Sequence, residues 1–405
     1  MAYIVQKFGG TSLSTLELIK KAALRVKSEV ESGHKVVVTV SAMAGSTNTL
    51  VGYVRDLSTT YDRAEYDCVV SSGEQVTAGL LALCLQNLDI PARSWLGWQI
   101  PIYTSSHHSQ GKIERINIKS LVKELDKGIV AVVAGFQGLS AEGRITTLGR
   151  GGSDTTAVAL AAALKAERCD IFTDVDGVYT ADPRYVTTAG KFEHIAYQEM
   201  LELAAQGAKV LQKDSVELAM HHGVRLRVLS SLSETSGTLI TNENELTESE
   251  KHIRGVAHTL SEEKLTLRFV SQNATEIDEV KALLEEDNIS INMIQYHISI
   301  CGNFIDLSFT ISVTEIERII EILQKAKKKL KFYDLLRSSR LARVSVIGAG
   351  LQTDHSSARK LFQILREENI EVQSVAASDI KLSVLLSVND AERAIKCIHA
   401  VYQLG

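Results

Sequence analysis

Strand-like and helix-like patterns alternate along the first 240 residues, and no other feature of the chain narrows its fold as far. Apolar runs begin at Tyr3, Lys35, Val130, Asp170 and Arg225. Apolar residues recur at helical spacing between and after them, from Leu16 to Val30, Ser72 to Leu88, Ser153 to Ala166 and Lys209 to His222. A helix that follows a strand returns the chain to lay the next strand parallel to the first. The order therefore predicts an α/β fold built on a doubly wound, largely parallel sheet covered on both faces, an αβα sandwich. Ligands of such sheets sit beyond the carboxyl ends of the strands. The alternation stops at Thr241 to His252, TNENELTESEKH, which is polar, acidic and without apolar periodicity, and reads as a linker. Beyond it, Leu265 to Leu323 and Val344 to Tyr402 form a weak repeat, each reading as strand, helix, strand, strand, helix. That pattern predicts two smaller α+β modules of the βαββαβ type.

Three segments carry the chemistry. KFGGTS, Lys7 to Ser12, follows the first strand and precedes the first helix, so it reads as strand, glycine-rich turn, helix. TLGRGGSDTTAV, Thr147 to Val158, packs a cation, three glycines and a carboxylate into the mouth of a helix. Glycines let backbone N–H groups approach a ligand closely, Arg150 can fork onto a carboxylate or phosphate, and the helix aims its positive end at the same place. Two such loops suit a nucleotide and an anionic co-substrate. The third segment, CDIFTDVDGVYTADPR from Cys169 to Arg184, is a short apolar strand, an Asp-Gly turn and a polar loop. Its partial likeness to a calcium loop fails for want of a third acidic position and a closing Glu.

In this order and spacing the three segments resemble the aspartokinase family, within the amino-acid kinase fold, and the likeness runs over the whole chain. The resemblance implies a catalytic domain at residues 1–240, a linker and joining strand at 241–263, and two ACT modules at 264–340 and 341–405. It implies ATP-dependent phosphorylation of the side-chain carboxylate of L-aspartate to 4-phospho-L-aspartate. That reaction is the entry step of lysine, methionine and threonine synthesis, the first through diaminopimelate. It further implies Mg2+ delivered with ATP, amino-acid effectors such as lysine and threonine at the ACT modules, and a homo-oligomer joined through them. Chemistry agrees with the loops. A carboxylate is already ionised at neutral pH and needs no general base, so the obstacle is charge repulsion between two anions. Cations and backbone N–H groups are the catalysts such a transfer requires.

Carried over position by position, Lys7 resembles the lysine that stabilises the phosphoryl group in transit, with Gly9, Gly10 and Thr11 shaping the loop beneath it. Asp154 stands where the family uses a carboxylate to orient that lysine. Thr47 and Glu74 are similar to contacts with the substrate amino acid, Glu74 answering its ammonium. Arg150 would bind a substrate carboxylate, with Gly151, Gly152 and Ser153 completing the cradle. Ser41, Thr173, Asp174, Tyr179, Asp182 and Arg184 resemble the nucleotide side, and Lys209 matches a second lysine there. No metal ligands are implied. The loops SQNATE from Ser271 and QTDHSS from Gln352 lack the Pro-Gly usual in the family's ACT modules, Asn292 stands where an aspartate is commoner, and Asp214 and Leu229 depart from basic positions. The departures in the ACT modules predict weak feedback inhibition, or inhibition that needs two effectors together, and those at Asp214 and Leu229 bear on the nucleotide end of the site.

Two other readings stand beside this one: a kinase of the same fold acting on another acyl acid, a carbamate or a nucleoside monophosphate, and a catalytically silent ACT-bearing subunit. Glu74 with Arg150 favours a zwitterionic amino acid, and Lys7 with Asp154 argues against silence. Composition fits. A chain of 405 residues with 45% apolar content supports two or three domains, and a net charge of −5 argues against nucleic-acid or membrane-surface partners. Five cysteines show no metal-type spacing and read as reduced thiols. His107-His108 and His221-His222 are adjacent and share no helix face for a metal, and VIGAGLQTDH from Val346 lacks the third glycine of a dinucleotide fingerprint. The N-terminus shows no signal pattern, and Lys165 interrupts the longest apolar stretch, so the chain is expected in the cytoplasm.

Overall fold

The computed structural model describes residues 1–405 except 207–209, 248–252, 270–274, 288, 290, 299–304 and 352–355. The described residues form two compact units, Met1–Tyr179 with Lys191–Lys251, and Thr180–Gly190 with His252–Gly405.

The first unit runs β1 (Tyr3–Phe8), α1 (Leu16–Glu31), β2 (Lys35–Val40), α2 (Ser46–Leu57), α3 (Arg63–Val70), α4 (Ser72–Gln86), β3 (Ala92–Trp95), β4 (Ile102–Thr104), β5 (Ile113–Ile116), α5 (Lys119–Leu125) and β6 (Val130–Ala134). It continues with β7 (Gln137–Leu139), β8 (Ile145–Thr147), α6 (Gly152–Leu164), β9 (Arg168–Thr173), β10 (His194–Ala196), α7 (Tyr197–Ala205), α8 (Lys213–His222), β11 (Leu226–Ser230) and β12 (Thr238–Thr241). Eight of these strands form one sheet in the order β10-β12-β11-β9-β1-β2-β6-β3, parallel throughout except at β11 and β12. The expected doubly wound α/β sheet is therefore present. A four-stranded sheet, β5-β4-β7-β8, is added beside it.

Strand alternation decides what each face buries. On one face Phe8, Val36, Val38, Val40, Val130, Val132 and Ala134 pack against Ile19, Ala22, Ala23 and Val26 of α1 and Ala78, Leu81, Ala82 and Leu85 of α4. Fully burying one such aliphatic or aromatic side chain contributes roughly 1.5–3 kcal/mol, so this layer fixes the sheet's curvature and register. On the opposite face lies Lys7, one residue before Phe8 and so pointing the other way, toward α6. Thr15 caps α1 by accepting from the Leu18 N–H, and Asp62 caps α3 by accepting from Ala64 and Glu65. The helical stretch Arg63–Gln86, which is α3 and α4 joined at Ser71, is long and apolar enough to cross a membrane by length and composition alone. Asp67 and Glu74 within it are buried.

The second unit contains β13 (Gly255–Phe269), α9 (Thr275–Glu286), β14 (Asn292–Ile298), β15 (Ile305–Ser312), α10 (Ile316–Leu330), β16 (Phe332–Ile347), α11 (Ser356–Glu367), β17 (Val372–Ser378), β18 (Lys381–Ser387) and α12 (Ala391–Val401). Its six strands form one antiparallel sheet, β14-β15-β13-β16-β18-β17. The two repeats are interleaved. The first half of β13 pairs with the last residues of β16, and its second half pairs with both β15 and the start of β16. Register shifts at Thr259, Glu262 and Lys264 mark the crossing, where Glu262 and Arg343, both buried, form an ion pair at 2.9 Å. Each repeat keeps its own apolar core, one around Leu265, Phe269, Phe309 and Leu323, the other around Val344, Leu361, Val384 and Ile395. The loops from Ser271 and Gln352, whose departures from the family were noted, fall on 271–274 and 352–355, outside the described residues.

Candidate active site

The carboxyl ends of β1, β2 and β9 converge on one patch. Gly9 N–H donates to Phe172 O at 3.2 Å, Ser41 N–H to Phe8 O at 3.1 Å, and Ala44 N–H to Gly10 O at 3.2 Å. The glycine turn is thus pinned between the ends of its two neighbouring strands, and Phe8 stacks on Phe172 with ring centroids 4.6 Å apart beneath it. Gly10 has to lack a side chain, because a Cβ there would lie 2.9 Å from Ala42 O. Lys7 extends from β1 to Asp154 in the first turn of α6, Nζ to Oδ1 at 2.5 Å, with both side chains about nine-tenths buried. A Cβ on Gly9 would stand 3.5 Å from the Lys7 ammonium and 3.6 Å from Phe172 O, so the glycine turn runs directly beside that cation.

The second loop forms the opposite wall. Thr147 ends β8, and the chain turns through Gly149 and Gly151, at φ +76° and +74°, into α6. Arg150, between them, is exposed, and among the described residues no hydrogen bond or ion pair holds its guanidinium. Gly152, Ser153 and Asp154 begin the helix, so its positive end faces the cradle. Phe136 closes the back of this loop. Its own backbone is left-handed at φ +68°, a cost that persists only where neighbours enforce it, and a Cβ on Gly152 would touch its ring at 2.8 Å.

Glu74 enters from the first turn of α4. One carboxylate oxygen, Oε1, accepts from Ala42 N–H at 3.0 Å, while Oε2 is buried with no hydrogen-bond partner among the described residues. Burial pushes this carboxyl up to about 7, against the opposing pull of its hydrogen bonds to Ala42 and to its own N–H. An orphaned oxygen on a buried acid is the feature an incoming ammonium would satisfy. Thr47 lies in the first turn of α2, half-buried, with Gly45 rather than Thr47 at the cap position. Ser41 is half-buried just past β2, and Thr11 is exposed in the short turn after Gly10.

On the far side, Thr173 ends β9, and its hydroxyl donates to Asp174 at 3.1 Å. Tyr179 donates its hydroxyl to Asp176 at 2.9 Å, and Lys191 reaches the same carboxylate at 3.4 Å. The chain then divides what the sequence had grouped together. Asp174 and Tyr179 belong to the first unit, while Asp182 and Arg184 belong to the second. There Arg184 chelates Asp182 with contacts of 2.6–3.0 Å, its own side chain 81% exposed. Lys209 lies outside the described residues. Sequence reasoning also passed over Phe136, whose strain has no sequence signal, and Asp67, a buried carboxylate that a helix period alone would have placed on a polar face.

The chain matches the amino acid kinase family over residues 2–230 and an ACT domain over residues 344–402. It is 41% identical to aspartate kinase of Pseudomonas putida over 404 residues, covering 100% of this chain and 98% of that one. Among solved structures it resembles E. coli aspartokinase III in complex with aspartate and ADP (R-state), with a TM-score of 0.82, 27% identity and coverage of 98% and 99% of the two chains. It also resembles the same enzyme in complex with lysine and aspartate (T-state), at a TM-score of 0.76, 27% identity and the same coverage. A paired lysine and aspartate beneath a glycine turn, on a parallel sheet followed by an interleaved antiparallel one, together with identity of this extent over the full length, make the chain a member of the aspartokinase family.

Proposed function

We infer that this aspartokinase transfers the γ-phosphoryl group of ATP to the side-chain carboxylate of L-aspartate, using the residues gathered around Lys7. The observation that carries the assignment of roles is the buried Lys7–Asp154 pair beside the glycine turn at Gly9. In-line attack brings two anions together, and Lys7 neutralises the charge that grows on the group in transit while Asp154 holds its ammonium in place. Glu74 receives the substrate ammonium on its free oxygen, and Arg150 forks onto the substrate α-carboxylate, with Thr47, Gly151, Gly152 and Ser153 completing the cradle. Gly9, Gly10, Thr11, Ser41, Thr173, Asp174, Tyr179, Asp182, Arg184 and Lys209 serve the nucleotide side. Magnesium, carried largely on phosphate oxygens, would supply further charge neutralisation when bound.

The enzyme works in the cytoplasm as a homo-oligomer, and its second unit takes amino-acid effectors. E. coli aspartokinase III with lysine supports that last reading. The product feeds lysine, threonine and methionine synthesis. The deciding assay supplies MgATP with aspartate or glutamate and traps the acyl phosphate with hydroxylamine. Aspartate hydroxamate forms and glutamate hydroxamate scarcely does; equal rates with both acids would overturn the substrate assignment. Sedimentation at working concentration, with and without lysine, tests the assembly, and a monomer throughout would reject it.

A further inference from the structure

Asp67 is wholly buried on α3, yet it takes no part in the reaction described above. Its two oxygens accept from four donors on two other segments, with a histidine ring nitrogen within hydrogen-bond distance as a fifth partner. Oδ2 accepts from the backbone N–H groups of Ser109 at 2.8 Å and Thr147 at 2.9 Å, and Nδ1 of His108 lies 3.1 Å from it. Oδ1 accepts from the hydroxyls of Ser109 at 3.1 Å and Thr147 at 2.7 Å. Ionised acceptors form the stronger class of hydrogen bond, and so many converging on one carboxylate fix geometry as well as energy.

What the carboxylate fixes is informative. Thr147 is the last residue of β8, three before Arg150. Ser109 is held left-handed at φ +67°, and its carbonyl oxygen lies 3.4 Å from where a Cβ on Gly149 would sit, so the strained loop buttresses the turn that presents Arg150. Gly111 N–H adds a bond to Thr147 O at 2.8 Å. At its other end Asp67 rides the same helical stretch as Glu74, two turns earlier, and the junction between them is itself tied down, since Gln137 Nε2 donates to Ser71 O at 3.0 Å. One carboxylate therefore sits at the joint between the helix carrying Glu74 and the loop carrying Arg150.

We propose that Asp67 is a positioning residue that fixes where Glu74 and Arg150 stand, and so where the substrate's α-carbon sits and which side-chain length brings the reacting carboxylate to the phosphoryl group. The proposal rests on reading those two residues as the anchors of the substrate ammonium and carboxylate. Aspartate and glutamate differ by one methylene between those anchors and the reacting carboxylate. A hydrophobic pocket tells such neighbours apart poorly, whereas two charged anchors held in fixed places hold the α-carbon in one position, from which only one side-chain length sets the reacting oxygen in line.

Four variants test it. In Asp67→Ala the acceptors are gone, and the KM for aspartate rises about tenfold while the KM for ATP stays within about twofold, with the preference for aspartate over glutamate reduced. Asp67→Asn recovers most of this: its amide oxygen can face the two backbone N–H groups, and its NH2 can face the two hydroxyls, which rotate to accept. If Asp67→Ala does not fold, Thr147→Val against Thr147→Ser decides, the first removing one donor at constant shape and the second restoring it. The valine variant shows a raised aspartate KM and the serine variant a normal one. A merely structural role would instead lower melting temperature and active fraction, with both KM values unmoved. Equal rises in the two KM values, or a folded Asp67→Ala or Thr147→Val with unchanged aspartate KM, would overturn the proposal. Arg150→Lys, run in parallel, keeps charge but loses the fork and raises aspartate KM if the anchor reading holds. An unchanged value there would reject the anchors themselves rather than the clamp.

Discussion

If Glu74 receives the substrate ammonium as proposed, this single buried acid imposes a pH dependence on substrate capture. Its carboxyl is raised by burial to about 7 in the folded protein, from an ordinary 4.5. The folded state thus holds this proton more tightly than the unfolded chain does, and the linked contribution to stability is greatest below 4.5 and declines as pH rises toward 7. On the proposed reading, in which Glu74 receives the substrate ammonium, substrate reverses the preference, because an ammonium binds the ionised form. The expected result is that kcat/KM for aspartate falls as pH drops below about 7, while the KM for ATP changes little over the same range. Glu74→Gln should flatten that profile at a uniformly higher aspartate KM, and a persistent acid limb in the glutamine variant would assign the ionisation elsewhere. Lys7→Ala makes a second demand on the same site. Losing one electrostatic contact to a group in transit costs about 3 kcal/mol or more in the barrier, so kcat should drop at least about a hundredfold. The substitution also leaves Asp154 buried without its cation, so the melting temperature should fall as well, and Asp154→Asn should restore stability to the double variant without restoring turnover. Turnover near that of the wild type in Lys7→Ala would remove the lysine from the mechanism.

At the scale of elements, the loop-to-helix junction at α6 depends on Gly151. Its φ of +74° disfavours any side chain by about 1–2 kcal/mol, and a Cβ there would come within 2.2 Å of Gln212 Cγ. Gly151→Ala is expected to lower the melting temperature and to raise the KM for aspartate, since the turn that aims Arg150 has to reopen; unchanged kinetics would mean that the turn tolerates the shift. The need for glycine was legible in GRGG, and so were the long parallel strands, because burial on both faces gives continuous apolar runs such as VVV in β2 and VAVVA in β6. The strands β4, β5, β7 and β8 were not, each being three or four residues long and partly exposed, too short for a period to register. They nonetheless build the second wall of the site. The helix α8 begins at Lys213 rather than Lys209, since Gln212 in extended conformation starts it and its carbonyl accepts from Ser215. The β16 strand starts at Phe332, twelve residues before the apolar run that announced it, because the segment DLLRSSR in its first half is mostly exposed, and pairing with β13 rather than hydrophobicity extends it.

For the whole molecule the consequential fact is where the chain changes units. It leaves the first unit after Tyr179 and returns at Lys191, so the loop bearing Asp174 and Tyr179 is covalently continuous with a segment folded into the second. That segment is well held. Thr180 Oγ1 lies 2.9 Å from His399 Nε2 and accepts from Gly190 N–H at 3.0 Å, Thr180 O accepts from Val256 N–H at 2.7 Å, and Ala181 and Val186 join the apolar core with Val256, Ala394 and Ile398. Anything that shifts β13 or α12 pulls on Thr180 and therefore on the residue next to it, Tyr179. An effector can change activity only through a difference in its affinity for two arrangements, and this segment is the covalent link from the second unit to the loop bearing Asp174 and Tyr179. Thr180→Val keeps the shape and removes the hydroxyl. With a net worth of about 1 kcal/mol for a typical hydrogen bond, or about fivefold in an equilibrium constant, the variant should raise the KM for ATP severalfold and lower the melting temperature. It should leave the KM for aspartate within about twofold, because Glu74 and Arg150 lie on elements the segment does not join. Steady-state kinetics in both substrates, read beside thermal denaturation, decide the matter. A lowered melting temperature with an unchanged ATP constant would make the segment a structural tie alone, whereas a rise in the ATP constant would identify it as the route by which the second unit reaches the nucleotide.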